Sequence, residues 1–429
     1  MYRDKTGLRG LIHASLLMAA STTVSALQFN GDVGVDARYT DNAGLSPSNE
    51  KDELITTARI AAAVTENEGP LTGNASATLR QLDYLDNTFG DQTYFGLGSA
   101  FTWVQLDNRL VWSVNDYFSQ TSINNLAANT PDNTENANAF SLAAAATIPV
   151  ADRHRITVAP SFRDFYYETS GNDNQQLGLA AGWAYQLKPA ISLSLNGSFS
   201  DVDFENTSSS DYERKNANIA VAVTRARSRY NATIGATEVK QDSGTKTDGV
   251  TGSVSWEHDL TGRSSFIAYV SSDITDTSNI FLSSSINPNT GSINNVQVSS
   301  DIVRNSVFRI AYRRDGATIN SGIWAELRDL DYETAMLDRE VQEIGTNISY
   351  LISPLVTGSV DGRFVRTDEK ATPSIDNEFH VTGRLIYSLS RKLRANAGLQ
   401  VQTKDSTNVP GREYDELSVF AGFSYLLGR

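Results

Sequence analysis

After its first 26 residues the chain repeats one pattern to the C-terminus. Apolar and polar residues alternate for about ten positions, stop at a turn, and alternate again. Successive side chains of a strand point to opposite faces, so a period of two marks a strand with one apolar and one polar face. The first run sets Val33, Val35, Ala37 and Tyr39 against Asp32, Gly34, Asp36 and Arg38. Later runs set Leu177, Leu179, Ala181, Trp183 and Tyr185 against Gly178, Ala180, Gly182 and Ala184, and Phe379, Val381, Gly383, Leu385 and Tyr387 against His380, Thr382, Arg384 and Ile386. About 20 such segments can be counted (16 to 20 once boundary uncertainty is allowed), and no stretch of similar length carries helical periodicity. The fold class is therefore all-β, and 429 residues on this one pattern make a single large β body.

The connections alternate short and long along the chain. Tight ones include 107–109, 188–190, 225–228, 353–355 and 390–392. Between them lie longer polar segments: 40–53, 121–137, 205–214, 276–300 and 403–413. A soluble sandwich has no reason to keep short turns at one end and long loops at the other. A closed antiparallel transmembrane barrel does, with its turns in the periplasm and its loops outside.

Aromatic residues fall where that barrel needs them. Trp103, Trp183, Tyr185, Trp256, Tyr312, Tyr350, Tyr387 and Tyr425 sit shortly before a short turn or the C-terminus, on the apolar face, while Trp112 and Tyr230 follow short turns. Amphipathic rings gather at the headgroup level, so this row reads as the periplasmic girdle. The polar face carries Arg59, Arg80, Arg309, Arg313, Asp361, Arg363, Arg384 and Arg394 among Ser, Thr, Asn and Gly. An Arg or Lys on the lipid face costs up to about 2–4 kcal/mol at the midplane, so these residues are the candidate pore lining. They form either a cationic strip attractive to anionic or sugar solutes or, the reading favoured from sequence, pairs with Asp36, Asp361, Glu257, Glu326 and Glu416.

The N-terminus reads as an export signal occupying residues 1–26, with the barrel over 27–429. Arg3, Lys5 and Arg9 precede the apolar run Leu11–Ala20, and Val24-Ser25-Ala26 supplies small residues for cleavage. The apolar run is too short for an anchor helix. Cleavage leaves 33 basic against 49 acidic residues, a net charge of −16. Such an acidic chain is a poor nucleic-acid binder. Without Cys it has neither disulfides nor thiolate chemistry.

The four His offer little for catalysis: His13 lies in the signal, His154 at a turn, His258 beside Asp259 at a strand end, and His380 on the lumenal face. His258 with Asp259 is the one adjacent pair a hydrolase could use. A convergent triad or metal site is not visible, and the expectation is a non-enzyme without metal or cofactor.

The opening DVGVDARYTDNAGLSPSNEKDELITTARIAAAV (32–64) and the closing YSLSRKLRANAGLQVQTKDSTNVPGREYDELSVFAGFSYLLGR (387–429) resemble the outer-membrane β-barrel porin family encoded beside exopolysaccharide biosynthesis and export genes. The carried features are the strand followed by Tyr39-Thr40-Asp41-Asn42 and a last hairpin with Tyr414 before an alternating strand. The likeness implies a Gram-negative outer-membrane protein tied to extracellular polysaccharide, a secretion channel or an accessory to one. Its implied partners are outer-membrane lipid, the outer-membrane assembly machinery, polysaccharide and other export subunits. No catalytic residues come with the resemblance. One departure is the ending Leu427-Gly428-Arg429, where many such barrels end on an aromatic residue; Tyr425 or Phe423 could serve in its place.

Three function classes follow from these features. They are a porin-like channel associated with exopolysaccharide secretion, a non-conducting docking barrel of an export apparatus, and an outer-membrane hydrolase. Segment 276–300 is read as an irregular loop that either folds into the mouth, drawn by Ile280, Phe281 and Ile286, or stays on the surface.

Overall fold

The computed structural model describes residues 27–206, 209–286 and 299–428; residues 1–26, read above as an export signal, lie outside them. Twenty strands follow one another: β1 (Gln28–Thr40), β2 (Glu53–Glu66), β3 (Leu71–Tyr84), β4 (Gln92–Gln105), β5 (Leu110–Ser122), β6 (Thr134–Ala151), β7 (His154–Tyr167), β8 (Asn174–Lys188), β9 (Ile191–Phe204) and β10 (Tyr212–Thr224) form the first half. The second half is β11 (Ser228–Gln241), β12 (Lys246–Thr261), β13 (Ser264–Asp276), β14 (Ile302–Asp315), β15 (Ile319–Tyr332), β16 (Arg339–Ser353), β17 (Val356–Glu369), β18 (Ser374–Ser388), β19 (Leu393–Ser406) and β20 (Tyr414–Leu427). Each pairs antiparallel with its neighbours in sequence, and β1 pairs with β20 from Gly31↔Leu427 to Thr40↔Ser418, which closes the sheet. Closure removes the two terminal edges of the sheet, the condition for β-structure to cross a bilayer.

The alternating loop lengths are realised. Turns at the end holding both barrel termini run from two to four residues, such as 189–190 and 354–355, while the opposite end carries longer segments, including 41–52 and 277–301. Where a four-residue connection on that opposite end reverses the chain, Gly244 takes φ +93, a conformation that favours glycine.

Register fixes which way each residue faces, since directly opposed residues share a side. Val35, Ile60, Ile234, Val250, Leu385 and Phe423 stand outward and exposed. In a barrel such a wall is the surface that lipid covers, and the molecule is an outer-membrane β-barrel of a Gram-negative cell. Outward charges collect beyond the apolar band, at the long-loop end, where Lys215 meets Glu213 at 3.1 Å and Lys246 meets Glu238 at 2.9 Å. Asp116 departs from this pattern. Register turns it outward, yet it is 2% exposed and accepts a 2.7 Å hydrogen bond from Asn138 Nδ2. Burial of that kind is how a carboxylate is tolerated on such a wall.

Two segments leave the wall and cross the lumen at the long-loop end. Between β13 and β14 the chain forms helix α1 (Thr277–Ile286). The periodicity reading missed it because ten residues lying inside a barrel need no exposed polar face. Between β5 and β6, residues 123–133 form a compact loop clamped by Asn133, whose Nδ2 donates to the carbonyls of Asn124 (2.7 Å) and Ala128 (3.0 Å). In both cases the strand leading in parts from its predecessor first. β4–β5 pairing stops at Leu97↔Phe118 and β12–β13 pairing at Gly252↔Ser272.

Candidate functional site

The lumen has two unlike walls. Midway along β9–β12 the inward positions are short and neutral: Ser194, Asn196 and Ser198, then Asn216 and Asn218, then Thr233 and Thr237, then Thr251 and Ser253, with the charged pair Arg214–Asp273 toward the long-loop end and Arg229–Glu257 toward the short-turn end. They hydrogen-bond to one another, with Asn196 Nδ2 on Asn218 Oδ1 at 2.9 Å, Asn216 Nδ2 on Thr237 Oγ1 at 2.8 Å and Thr233 with Ser253 at 2.9 Å. A flat ladder of amides and hydroxyls with no charge results.

The opposite wall, β14–β20 with β1–β3, carries all the arginines read from sequence as pore lining. Register places Arg59, Arg80, Arg309, Arg313, Asp361, Arg363, Arg384 and Arg394 on the inward side. They divide into two groups by partner. Arg59 pairs with Asp32, Arg313 with Asp315 at 2.9 Å, and Arg309 with Glu326 at 3.0 Å, where Arg328 joins at 2.8 Å. Arg229–Glu257 (2.6 Å) and Arg38–Glu416 (3.9 Å) also form. The remaining four, Arg80, Arg363, Arg384 and Arg394, have no carboxylate within 4.0 Å among the described residues, and neither Asp36 nor Asp361 has a cationic partner there. General mutual pairing, favoured from sequence, therefore gives way to a half-paired wall. The residues directly opposed to Arg363, Arg384 and Arg394 are Gly345 and His380, Ser359 and Gly398, and Ser388 and Ser424, none of them a carboxylate.

Two of the unpaired cations lie on rings, Arg384 5.2 Å from the Phe420 centroid and Arg80 5.7 Å from Tyr94. A cation held on a ring face keeps its charge available to solute. Arg363, Arg384 and Arg394 sit on β17, β18 and β19 and step down the wall by about four residues per strand. This amounts to a rise of about 13 Å along the strand at each step.

The inward segments narrow the passage between these walls. Helix α1 begins at Asp276, whose carboxylate caps the Asn279 amide (2.8 Å) and is bonded by the Tyr212 hydroxyl. Its Phe281 and Leu282 pack with Ala137, Ala139, Phe165 and Tyr167 on the inner face of β6–β7, and Ile280 packs with Val303, Leu330 and Tyr332. Arg163 Nη1 reaches Asn279 Oδ1 at 2.5 Å. The helix thus lies across the lumen from β13 to β7. Ile286 lies outside the residues whose side chains are described.

Loop 123–133 crosses from β5 toward β19, where Lys404 Nζ donates to the Leu126 carbonyl at 3.1 Å while pairing with Asp376 (3.2 Å) and Glu378 (2.9 Å). A polar cavity of ≈ 360 Å³ remains between this loop and a wall that includes Arg38, Arg363, His380 and Glu416. Neither Lys404 nor Arg163 was singled out from sequence. A lone Lys or Arg on a polar face gives no sign that a distant loop will fold onto it.

The ten aromatic residues read as a girdle all face outward at the short-turn end. Tyr230 and Trp256 stack at 6.2 Å, and Trp183 with Tyr185 at 6.3 Å. His154 stacks on both of the latter rings and accepts a 3.2 Å hydrogen bond from the Trp183 indole. His258 faces outward, bonded to Ser228 Oγ at 2.8 Å, whereas Asp259 turns to the lumen and meets Arg229 at 3.7 Å. Adjacent strand residues point apart, so the pair does not converge.

No protein-family model and no curated protein matches this chain. Among solved structures it is similar to the siderophore receptor PirA from Pseudomonas aeruginosa, at 10% identity over 93% of this chain and 80% of that one, with a TM-score of 0.46. It is also similar to the ferric citrate transporter FecA, at 9% identity over 93% and 79% with a TM-score of 0.45. A loop-deleted OmpT of Vibrio cholerae, an outer membrane protein, matches at 10% identity over 94% and 100% with a TM-score of 0.36.

Proposed function

We propose that this barrel is a porin-like channel for polar solutes with a preference for anions, serving exopolysaccharide secretion, and that it is not an enzyme. The observation that carries the reading is the facing of the two walls. Unpaired Arg363, Arg384 and Arg394 look across the lumen at a hydroxyl- and amide-bearing surface. Such a pair of walls suits a solute that is polyhydroxylated and acidic, because charge focused in a low-dielectric passage raises the local concentration of counter-ions. The tie to exopolysaccharide rests on the resemblance of the two terminal segments. Lipid and the outer-membrane assembly machinery are the partners any such barrel requires, and other export subunits would have to carry polysaccharide across the periplasm.

The test is a planar-bilayer recording of residues 27–429 in a salt gradient. Wild type should show a reversal potential on the anion side and block by acidic oligosaccharide. The triple variant Arg363→Gln, Arg384→Gln, Arg394→Gln should conduct with that preference and block reduced. Cation preference in the wild type, or a triple variant indistinguishable from it, would overturn the reading. A second reading, a docking barrel that does not conduct, is favoured by the two segments lying across the mouth. It predicts a folded, heat-modifiable protein that stays silent in the bilayer even when α1 is removed.

A further inference from the structure

The barrel wall is incomplete on one side. Above Gly252↔Ser272 strand β13 turns into the lumen, where Asp273 meets Arg214 at 2.9 Å, so residues 246–251 of β12 lose their neighbour. At Val250, six residues above the girdle residue Trp256, this seam stands about 15 Å from that girdle along the membrane normal, inside an apolar band about 25 Å tall. Backbone groups left unpaired at that depth are costly because the bilayer offers them no water. One is met from across the gap: Arg304 Nη1 of β14 donates to the Val250 carbonyl at 3.4 Å. Gly249 makes room for it, since a Cβ there would strike the guanidinium. The Arg304 side chain is the bar across the seam.

On either side of the seam lies a cavity, and the two share their lining. Outside is a groove of ≈ 830 Å³ walled by Ile234, Val250, Val254, Val270, Phe308 and Leu327. Inside is a polar cavity of ≈ 400 Å³ with Asn216, Asn218, Asp273 and Asn305. Thr233, Thr251, Gly252, Ser253, Ser271 and Ser272 border both. Within the inner cavity the buried Asn305 Oδ1 has no hydrogen-bond donor. An acceptor of this kind calls for a partner.

We propose that the β12–β13 seam is a lateral portal for a sugar-headed lipid, whose head occupies the inner cavity while its acyl chain lies in the outer groove. The head must be polyhydroxylated and uncharged. The amides and hydroxyls there offer both donors and acceptors, and the one cation, Arg214, is already paired with Asp273. A hydroxyl would supply the donor Asn305 lacks and could bond the exposed edge of β12. The chain would lie along the stretch of the groove walled by Ile219, Ile234, Val250, Val254, Val270 and Phe308, away from Arg328, Asp329 and Glu340 at its rim. The portal does not depend on conduction through the lumen, so a silent barrel would leave it standing.

Photocrosslinking in nanodiscs of phosphatidylethanolamine doped with dodecyl maltoside tests the proposal. p-Benzoylphenylalanine replaces Asn216 in the inner cavity, Ile219 on the lipid face, or Thr382 on the far lumenal wall, and adducts are read by mass. The expected result is a maltoside adduct at 216, absent at 382 and raised severalfold by Arg304→Ala, with adducts at 219 proving insertion. Three results would each overturn the portal: adducts at 219 alone, equal adducts at 216 and 382, or phospholipid as the only adduct at 216.

Discussion

Removing the Phe281 side chain should loosen α1 without loosening the barrel. Phe281 is 4% exposed and meets the Tyr167 ring at 6.2 Å, inside a cluster formed with the β6–β7 wall. A buried Phe truncated to Ala typically costs about 3–5 kcal/mol. That cost falls on the seated helix alone, because a helix swung out of the cluster has already given up the contact. The ratio of seated to unseated forms should therefore drop by about 10² to 10³ or more at 1.4 kcal/mol per decade. In single-channel recordings Phe281→Ala should show full-size openings on the order of a hundred times more often than wild type. Heat-modifiability on gels should stay unchanged, since the twenty-strand ladder does not involve this ring. Loss of the Asn279–Arg163 contact through Asn279→Ala should move opening frequency the same way by a smaller factor. If Phe281→Ala opens no more often than wild type while the barrel remains folded, α1 is not the constriction and the argument from its packing fails.

The paired and unpaired arginines should separate experimentally. Arg309 is 7% exposed, and Arg309→Gln should lower the urea midpoint of unfolding by less than the equivalent of the about 3–5 kcal/mol that an unpaired buried charge costs, because Glu326 keeps Arg328 at 2.8 Å, with little change in ion selectivity. Lys404→Ala removes the cation that Glu378 pairs with and frees the Leu126 carbonyl, while Asp376 keeps Arg412 at 3.6 Å, so proteolysis within 123–133 should rise above wild type. Trp256→Ala removes the ring stacked on Tyr230 and should cost about 0.5–1.5 kcal/mol beyond the lost area, read from unfolding in lipid vesicles. Lys370, in the loop after β17, is held by Asp329 at 2.7 Å and Asp331 at 2.9 Å, and their carboxylates raise its pKa above the usual lysine value. A raised amine pKa contributes stability that is complete below the unfolded value near 10.4 and lost as pH climbs through the folded one. The difference in midpoint between wild type and Lys370→Met should hold steady from pH 6 to pH 9 and shrink only in stronger alkali.

Strand count, closure and facing were legible because each follows from a rule acting on nearest neighbours. Val33 to Tyr39 must turn one way if Asp32 to Arg38 turn the other, and ten aromatic residues near short turns can satisfy both a ring and a headgroup only at an interface. The constrictions were not legible for the opposite reason. Whether Lys404 meets Leu126, or Asp276 meets Tyr212, depends on chords across the barrel between residues 278 and 64 positions apart. No local period records such contacts. The reading of 276–300 as irregular shows the same limit. Ile280, Phe281 and Leu282 are consecutive, and their apolar character gives no amphipathic stripe when a helix is surrounded by two inner surfaces at once.

The two departures from the regular wall have one physical origin, and this links constriction to portal. A strand that must deliver its loop into the lumen has to bend inward before it ends, and bending breaks its ladder with the strand on its outer side. β5 does this beyond Phe118, where the breach is covered: Gln120 Nε2 donates to the Phe95 carbonyl at 2.8 Å and the Phe95 and Phe118 rings meet at 5.6 Å. β13 does it beyond Ser272, where small residues and one long hydrogen bond from Arg304 leave the breach open. A helix drawn into the lumen therefore implies a weakened seam beside it, and the two should move together. Phe281→Ala, by letting α1 out, should allow β13 to return toward β12 and lower the adduct yield at position 216. An unchanged yield in a variant whose openings have multiplied would show that the seam is set by β13 itself and not by the helix it carries.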